Sequence, residues 1–154
     1  MRTMTAYTPQ DPQYQKKVSD SFSRQKFMSF LGAHLSRVEP GFCEIRLPYR
    51  EELTQQHGFF HAGVVGTLAD NAGGYAAFSL MHPASSVLTV EYKLNLVAPA
   101  RGEEIISRAR VEKYGKTLTI CRVDVFAVSG GNEKLCAVSQ MTLMEMKGML
   151  DKQA

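Results

Sequence analysis

The stretch His61-Ala62-Gly63-Val64-Val65-Gly66-Thr67-Leu68-Ala69-Asp70-Asn71-Ala72-Gly73-Gly74-Tyr75-Ala76-Ala77-Phe78-Ser79-Leu80 decides how the rest of the chain is read. Between Leu53 and Val90 the one Asp, Glu, Lys or Arg is Asp70. A surface helix shows a polar face, whereas a helix that is apolar all round is buried. The many Gly and Ala residues mean that something packs close to its backbone. A sheet wrapped around one central helix meets both conditions.

The flanks supply that sheet. Asp11-Pro12 reads as a helix start, Asp as cap and Pro at the first helical position. Val18, Phe22, Phe27, Phe30 and Leu31 then recur near helical spacing until Gly32 stops the helix. Leu35 to Glu39 and Cys43 to Pro48 read as two strands across a turn at Pro40-Gly41. In the second, Cys43, Ile45 and Leu47 alternate with Glu44 and Arg46. After Pro83 the pattern turns to strands. Leu88, Val90, Tyr92, Leu94 and Leu96 alternate with Thr89, Glu91, Lys93 and Asn95. Glu103 to Tyr114, Thr117 to Val128 and Lys134 to Met146 follow, separated by Gly115-Lys116 and Gly130-Gly131-Asn132. The expectation is an α+β domain over 16–148, with a loose arm over 1–15 and a tail over 149–154.

The chain has 154 residues, 44% hydrophobic and 21% charged. A chain of that length buries a core without help from disulfides or metal. Its net charge of +3 is small and no basic tract occurs, so a nucleic-acid partner is not expected. No apolar leader and no run of eighteen apolar residues occurs, so no membrane partner is expected either. Cys43, Cys121 and Cys136 are odd in number and widely spaced. They read as reduced thiols, and the protein as cytoplasmic.

Asp70 is the first chemical candidate. A carboxylate in so apolar a segment is costly unless hydrogen-bonded or used, and a desolvated carboxylate makes a good general base. The alternative is a structural Asp bonded to a neighbouring turn. His61-Ala62-Gly63, at the expected helix start, is the second. Backbone N–H groups there attract anions and, aimed at a carbonyl, form an oxyanion hole. Every helix has such a start, so this signal is weak alone. His61 and Asp70 are nine residues apart, about 13 Å of rise and about half a turn. Both cannot face one small substrate within one chain. A shared substrate needs a second subunit with its helix antiparallel, hence a dimer with two sites across a two-fold axis.

Other features read blandly. His57 and His61 are four apart, but Gly58 points to a loop and no third ligand is evident, so no metal is expected. The glycines form no phosphate loop, and no serine sits in a G-x-S-x-G context.

The segment Gln55 to Ala77 resembles the PaaI-type thioesterases of the hotdog-fold superfamily. His61-Ala62-Gly63, Leu68 and Asp70 fall at the spacing of that family's helix motif. The likeness runs over roughly residues 20–146. Phe30-Leu31-Gly32-Ala33, Val38-Glu39-Pro40-Gly41, Leu88 to Gly102 and Gly115-Lys116-Thr117 support it. It implies a hotdog fold, one long central helix wrapped by a five- to six-stranded antiparallel sheet, and hydrolysis of acyl-CoA thioesters without a cofactor. It implies Asp70 as general base or as nucleophile through an acyl anhydride. The N–H of Gly63, with Ala62, would hold the thioester oxygen. Gln55 would orient carbonyl or water, and Thr89 would reach the same water. His61 would position the loop and the carbonyl, with Phe60 and Asn71 as further substrate contacts. The assembly implied is a homodimer or a dimer of dimers. Gln55, His61 and Gly63 of one subunit then face Asp70 and Thr89 of the other.

Two departures stand out. Ala62 replaces the usual second Gly and tolerates positive φ poorly. Gln55 replaces the usual Asn and is one methylene longer. Lys93, Arg101, Arg108, Arg110, Lys113 and Lys116 are available to the CoA phosphates, although solvated strand faces explain them as well. Phe59, Phe60 and Tyr75 suit an acyl pocket or the core equally. A hydratase or dehydratase on the same fold, and a non-catalytic acyl-CoA sensor, are the rival readings.

Overall fold

A segment rich in Gly and Ala lets strands approach its backbone. In the computed structural model, which describes residues 7–151, that segment is helix α3 (Ala62–Phe78). Two helices precede it, α1 (Tyr14–Arg24) and α2 (Lys26–Leu31). The described strands are β1 (His34–Glu39), β2 (Phe42–Pro48), β3 (Ser85–Leu96), β4 (Glu104–Tyr114), β5 (Leu118–Ser129) and β6 (Asn132–Lys147). They form one antiparallel sheet in the order β1-β2-β4-β5-β6-β3. This is the expected hotdog arrangement, with six strands.

The core lies between α3 and one face of the sheet. Leu68, Ala69, Ala72 and Ala76 meet Ile45, Ile105, Ala109, Val123 and Leu143, all without solvent exposure. Contact is closest at Gly73. A methyl group there would overlap the Met141 Sδ and touch Val123 Cγ2. The Gly73 carbonyl also accepts from Cys121 Sγ at 3.5 Å. Gly66 faces β3 less tightly, since a methyl there would lie 3.4 Å from the Tyr92 hydroxyl, an ordinary contact distance.

Three expectations need correction. The helix expected from Asp11 to Gly32 is two helices broken at Gln25, whose backbone is extended. The break turns Phe27 and Phe30 outward, 54% and 69% exposed, and buries Met28 instead. The helix start is displaced: Asp11 Oδ1 accepts from the Gln13 N–H at 2.8 Å, as a capping side chain does, and its carbonyl from the Tyr14 N–H at 3.1 Å, but α1 itself starts at Tyr14. Nor is the described part of the N-terminal arm loose. The Gln10 N–H donates to the Leu80 carbonyl, its side chain reaches the Tyr114 hydroxyl, and Tyr7 packs on Gly41. Residues 1–6 of that arm and 152–154 of the tail lie outside the described residues.

The alternation along β3 is broken once. Thr89 pairs with Leu143 and Glu91 with Thr142, so Val90 is an extra residue, a bulge. A one-residue shift moves side chains to the other face. Thr89 therefore joins Tyr92, Leu94 and Leu96 on the helix side of the sheet, while Glu91 points away with Thr142. Strand β3 ends the sheet order, so among the described residues one of its edges has no strand beside it. Among the described residues no helix is long and apolar enough to cross a membrane.

Two glycines separate a soft contact from a hard one. A Cβ at Gly102 would overlap the Val128 carbonyl, which is backbone and also accepts from the Glu103 N–H at 2.8 Å. Gly102→Ala is expected to cost about 3 kcal/mol. Gly73→Ala should cost less. The Met141 thioether can rotate away, and the helix gains about 1 kcal/mol of propensity. Urea unfolding midpoints of the two variants test this order.

Candidate active site

Helix α3 is apolar all round, yet the sheet does not cover all of it. Val64, Thr67, Asp70, Asn71 and Gly74 remain partly exposed, at the i, i+3, i+4 spacing of one helical stripe. Asp70 sits in the middle of that stripe and is half-buried, not enclosed. Its Oδ1 accepts from the Thr89 hydroxyl at 2.7 Å. The Val90 bulge makes this contact possible, because unbroken alternation would place Thr89 with Glu91 on the far face. The pair opens on a cavity of about 210 Å3. Asn71, Gly74, Tyr75 and Phe78 line it from α3, Ser21 from α1, Gln25 from the break between α1 and α2, Val87 from β3, and Asp151 from the segment after β6. Asn71 donates to the Thr67 carbonyl at 3.2 Å, and its Oδ1 is enclosed without a donor. Tyr75 is buried, which pushes its phenol above the ordinary value despite hydrogen bonds from Ser21 and Gln25.

The helix start lies at the other end. His61 is the N-cap, and its Nδ1 accepts the Gly63 N–H at 2.9 Å. Its carbonyl accepts from Val64 and Val65 at 2.9 and 3.1 Å. Of these first N–H groups, that of Ala62 has no acceptor among the described residues. No described residue other than glycine has positive φ, so replacing the usual Gly by Ala62 strains nothing. Gln55 begins a turn closed by Gly58, whose φ of +77° suits glycine. The Gln55 side-chain oxygen accepts from the His57 N–H, which leaves its NH2 group as the free end. Here the extra methylene is used to cap the turn. Gln55, Phe59, Phe60, Ala62 and Val65 line a second cavity of about 510 Å3 with residues 96–100.

The structure thus joins Asp70 to Thr89, and Gln55 to Ala62, but does not join the two pairs. Neither cavity contains residues of the other pair. Phe60 is 3% exposed and stacks edge-on to Tyr49, so it serves the core as well as the cavity wall. His57 and His61 stand on a turn and on the helix cap, and no cluster of three possible metal ligands occurs among the described residues. The three cysteines are free and buried. Burial pushes Cys121 up to about 12 and Cys136 up to about 11, and Cys43 higher still, so none supplies a thiolate nucleophile. Among the cations considered for phosphate, Arg108 is held by Glu44 at 2.6 Å and by Glu133 through both oxygens. Arg110 lies 3.9 Å from Asp124. Sequence reading missed Ser21, Gln25 and Gly74 as site-lining residues. Nothing in the local pattern around Ser21 and Gln25 marks them as a wall of a cavity that includes Asp70, 45 residues beyond Gln25 in the chain.

The family model described as "Thioesterase superfamily" matches residues 57–134. The crystal structure of a thioesterase family protein from Silicibacter pomeroyi shares 49% identity at a TM-score of 0.86, covering 88% of this chain and 99% of that one. Acyl-coenzyme A thioesterase 13 of Homo sapiens is 36% identical over 94 residues, 59% of this chain and 65% of the human protein. The E. coli PaaI protein from the phenylacetic acid degradation operon shares the fold, with a TM-score of 0.79 at 17% identity, covering 89% of this chain and 96% of that one.

The cap geometry generates a stability test. Removing the acceptor in His61→Ala should cost about 1 kcal/mol. His61→Asn, which keeps a cap acceptor, should recover most of that in urea unfolding.

Proposed function

The chain belongs to the thioesterase superfamily, and from that premise we propose that it hydrolyses acyl-CoA thioesters at a site shared between two subunits. The observation that carries this reading is the Thr89 hydroxyl on Asp70 at 2.7 Å, beside a cavity, on the stripe of α3 that the sheet leaves uncovered. An apolar helix with an uncovered stripe requires a cover. The unpaired edge of β3, with Leu88, Val90, Tyr92 and Leu96 about half exposed, offers the place where a second copy continues the sheet. The antiparallel partner then brings its own Gln55 and Ala62 opposite Asp70 and Thr89, in a homodimer that can pair again into a dimer of dimers. Buried free thiols suit a cytoplasmic enzyme.

In this reading Thr89 holds the Asp70 carboxylate in place. Water attacks the thioester carbon as Asp70 takes its proton, or Asp70 attacks directly and water then opens the anhydride. Negative charge gathers on the carbonyl oxygen in either case. The Ala62 N–H and the helix dipole meet that charge. The Gly63 N–H joins if the His61 ring turns away. The Gln55 NH2 group orients the carbonyl. Collapse breaks the C–S bond, and CoA leaves as the thiol after taking up a proton.

Free-thiol release from a panel of acyl-CoAs tests the chemistry. Asp70→Asn is expected to lose about 100-fold or more; an unchanged rate overturns the assignment. Ala62→Pro tests the oxyanion donor. Proline is well accepted at the first helical position, and the extended His61 backbone (φ −61°, ψ 140°) suits a following proline. The variant should fold normally and lose about 100-fold in kcat. Co-expression of the two variants tests the shared site. Half of the dimers then carry one intact site of two, giving about a quarter of wild-type activity. Activity at the level of the single variants would place the site within one chain.

A further inference from the structure

The Asp70 cavity runs along α3. Gly74 and Phe78 follow Asp70 by four and eight residues, about 6 Å and 12 Å of rise, and both stay within a quarter turn of it. Gly74 makes the trough. A Cβ built there meets nothing within 4 Å. The far end is closed by a lock between helices. The Gln25 side-chain NH2 donates to the Tyr75 hydroxyl at 2.6 Å, and the Ser21 hydroxyl lies 3.1 Å from the same oxygen. Gln25 is the residue at which α1 breaks from α2, and the break sets its side chain on Tyr75. Tyr75 is itself fixed by the edge of Phe22, with ring centroids 5.8 Å apart.

We propose that the acyl group of the substrate lies in this trough over Gly74 and ends at the Gln25–Tyr75 lock, so that α1 sets the acyl length. Tyr75 follows Asp70 by five residues, about 7.5 Å of rise, a reach that corresponds to acyl groups of about six carbons or fewer. This rests on the Asp70-centred thioesterase reading. It adds Gln25, Tyr75 and Gly74 as specificity-determining residues.

The test is kcat/KM across linear acyl-CoAs from acetyl to dodecanoyl. Wild type should fall at least about tenfold between hexanoyl and decanoyl, the scale of discrimination by methylenes in a pocket. Gln25→Ala opens the lock and should raise the decanoyl-to-hexanoyl ratio about tenfold or more. Gly74→Leu fills the trough and should lower the hexanoyl-to-acetyl ratio by a similar factor. Replacing Gly by Leu in a helix favours folding, so a misfolded variant is not the expected outcome. The same length series is read a second time as binding of unreactive S-alkyl-CoA thioethers to Asp70→Asn. If wild type releases thiol from no substrate, the hydrolase reading fails, while the thioether series still reports the trough. One length profile shared by all three chains overturns the length assignment even where hydrolysis is robust.

Discussion

Where Gly73 faces β5 and β6, the Met141 thioether and a Val123 methyl occupy the space that a side chain would take. That close approach governs the rest. It seats α3 against the sheet along its Gly/Ala side and buries Leu68, Ala69, Ala72 and Ala76 completely. The orientation of every other helix position follows from it. Val64, Thr67, Asp70, Asn71 and Gly74 are left on the open stripe because the remaining faces are taken.

A carboxylate deep beneath the helix would carry a desolvation cost that no partner there relieves. On the open stripe Asp70 has one strong partner, Thr89, and access to a cavity. Thr89 reaches it through an irregularity of the sheet. The extra residue Val90 lets β3 show Thr89 and Tyr92 on the same face, though three positions separate them. At the other end of α3 the chain uses its polar groups locally. His61 caps Gly63 and Gln55 caps its own turn, which leaves the Ala62 N–H and the Gln55 NH2 facing a separate cavity. About 12 Å of helix between Ala62 and Asp70 keeps these two sets apart. Two half-sites on one rigid rod are complementary in chemistry, and the antiparallel neighbour of the proposed dimer would bring them together.

The far face of the sheet follows a different rule. Glu44 is 7% exposed there, and burial alone would push its carboxyl up. Hydrogen bonds from Arg108, Ser36 and Arg46 outweigh burial and hold it below the ordinary value. Arg108 also grips Glu133 through both oxygens. These charges are spent on one another, which removes Arg108 from the cations open to a phosphate.

Much of the architecture was legible in the residues. The absence of charge around 61–80 apart from Asp70 identified the central helix, and the alternation of Cys43, Ile45 and Leu47 identified a half-buried strand whose three inward residues are fully buried. Those readings succeed because they depend on periodicity, which is local. The nine-residue separation of His61 and Asp70 likewise needed helix geometry alone. The failures are of another kind. The break at Gln25 carries no Gly or Pro to announce it; the hydrogen bond to Tyr75, fifty residues away, holds the corner. The facing of Thr89 depends on how β3 registers against β6, and an extra residue in a strand leaves no mark in its own alternation. The sequence by itself therefore determined the helix, the strands and the residue types at the site. Only the tertiary structure decided which of those residues share a face, because register and helix breaks are set by partners distant in the chain.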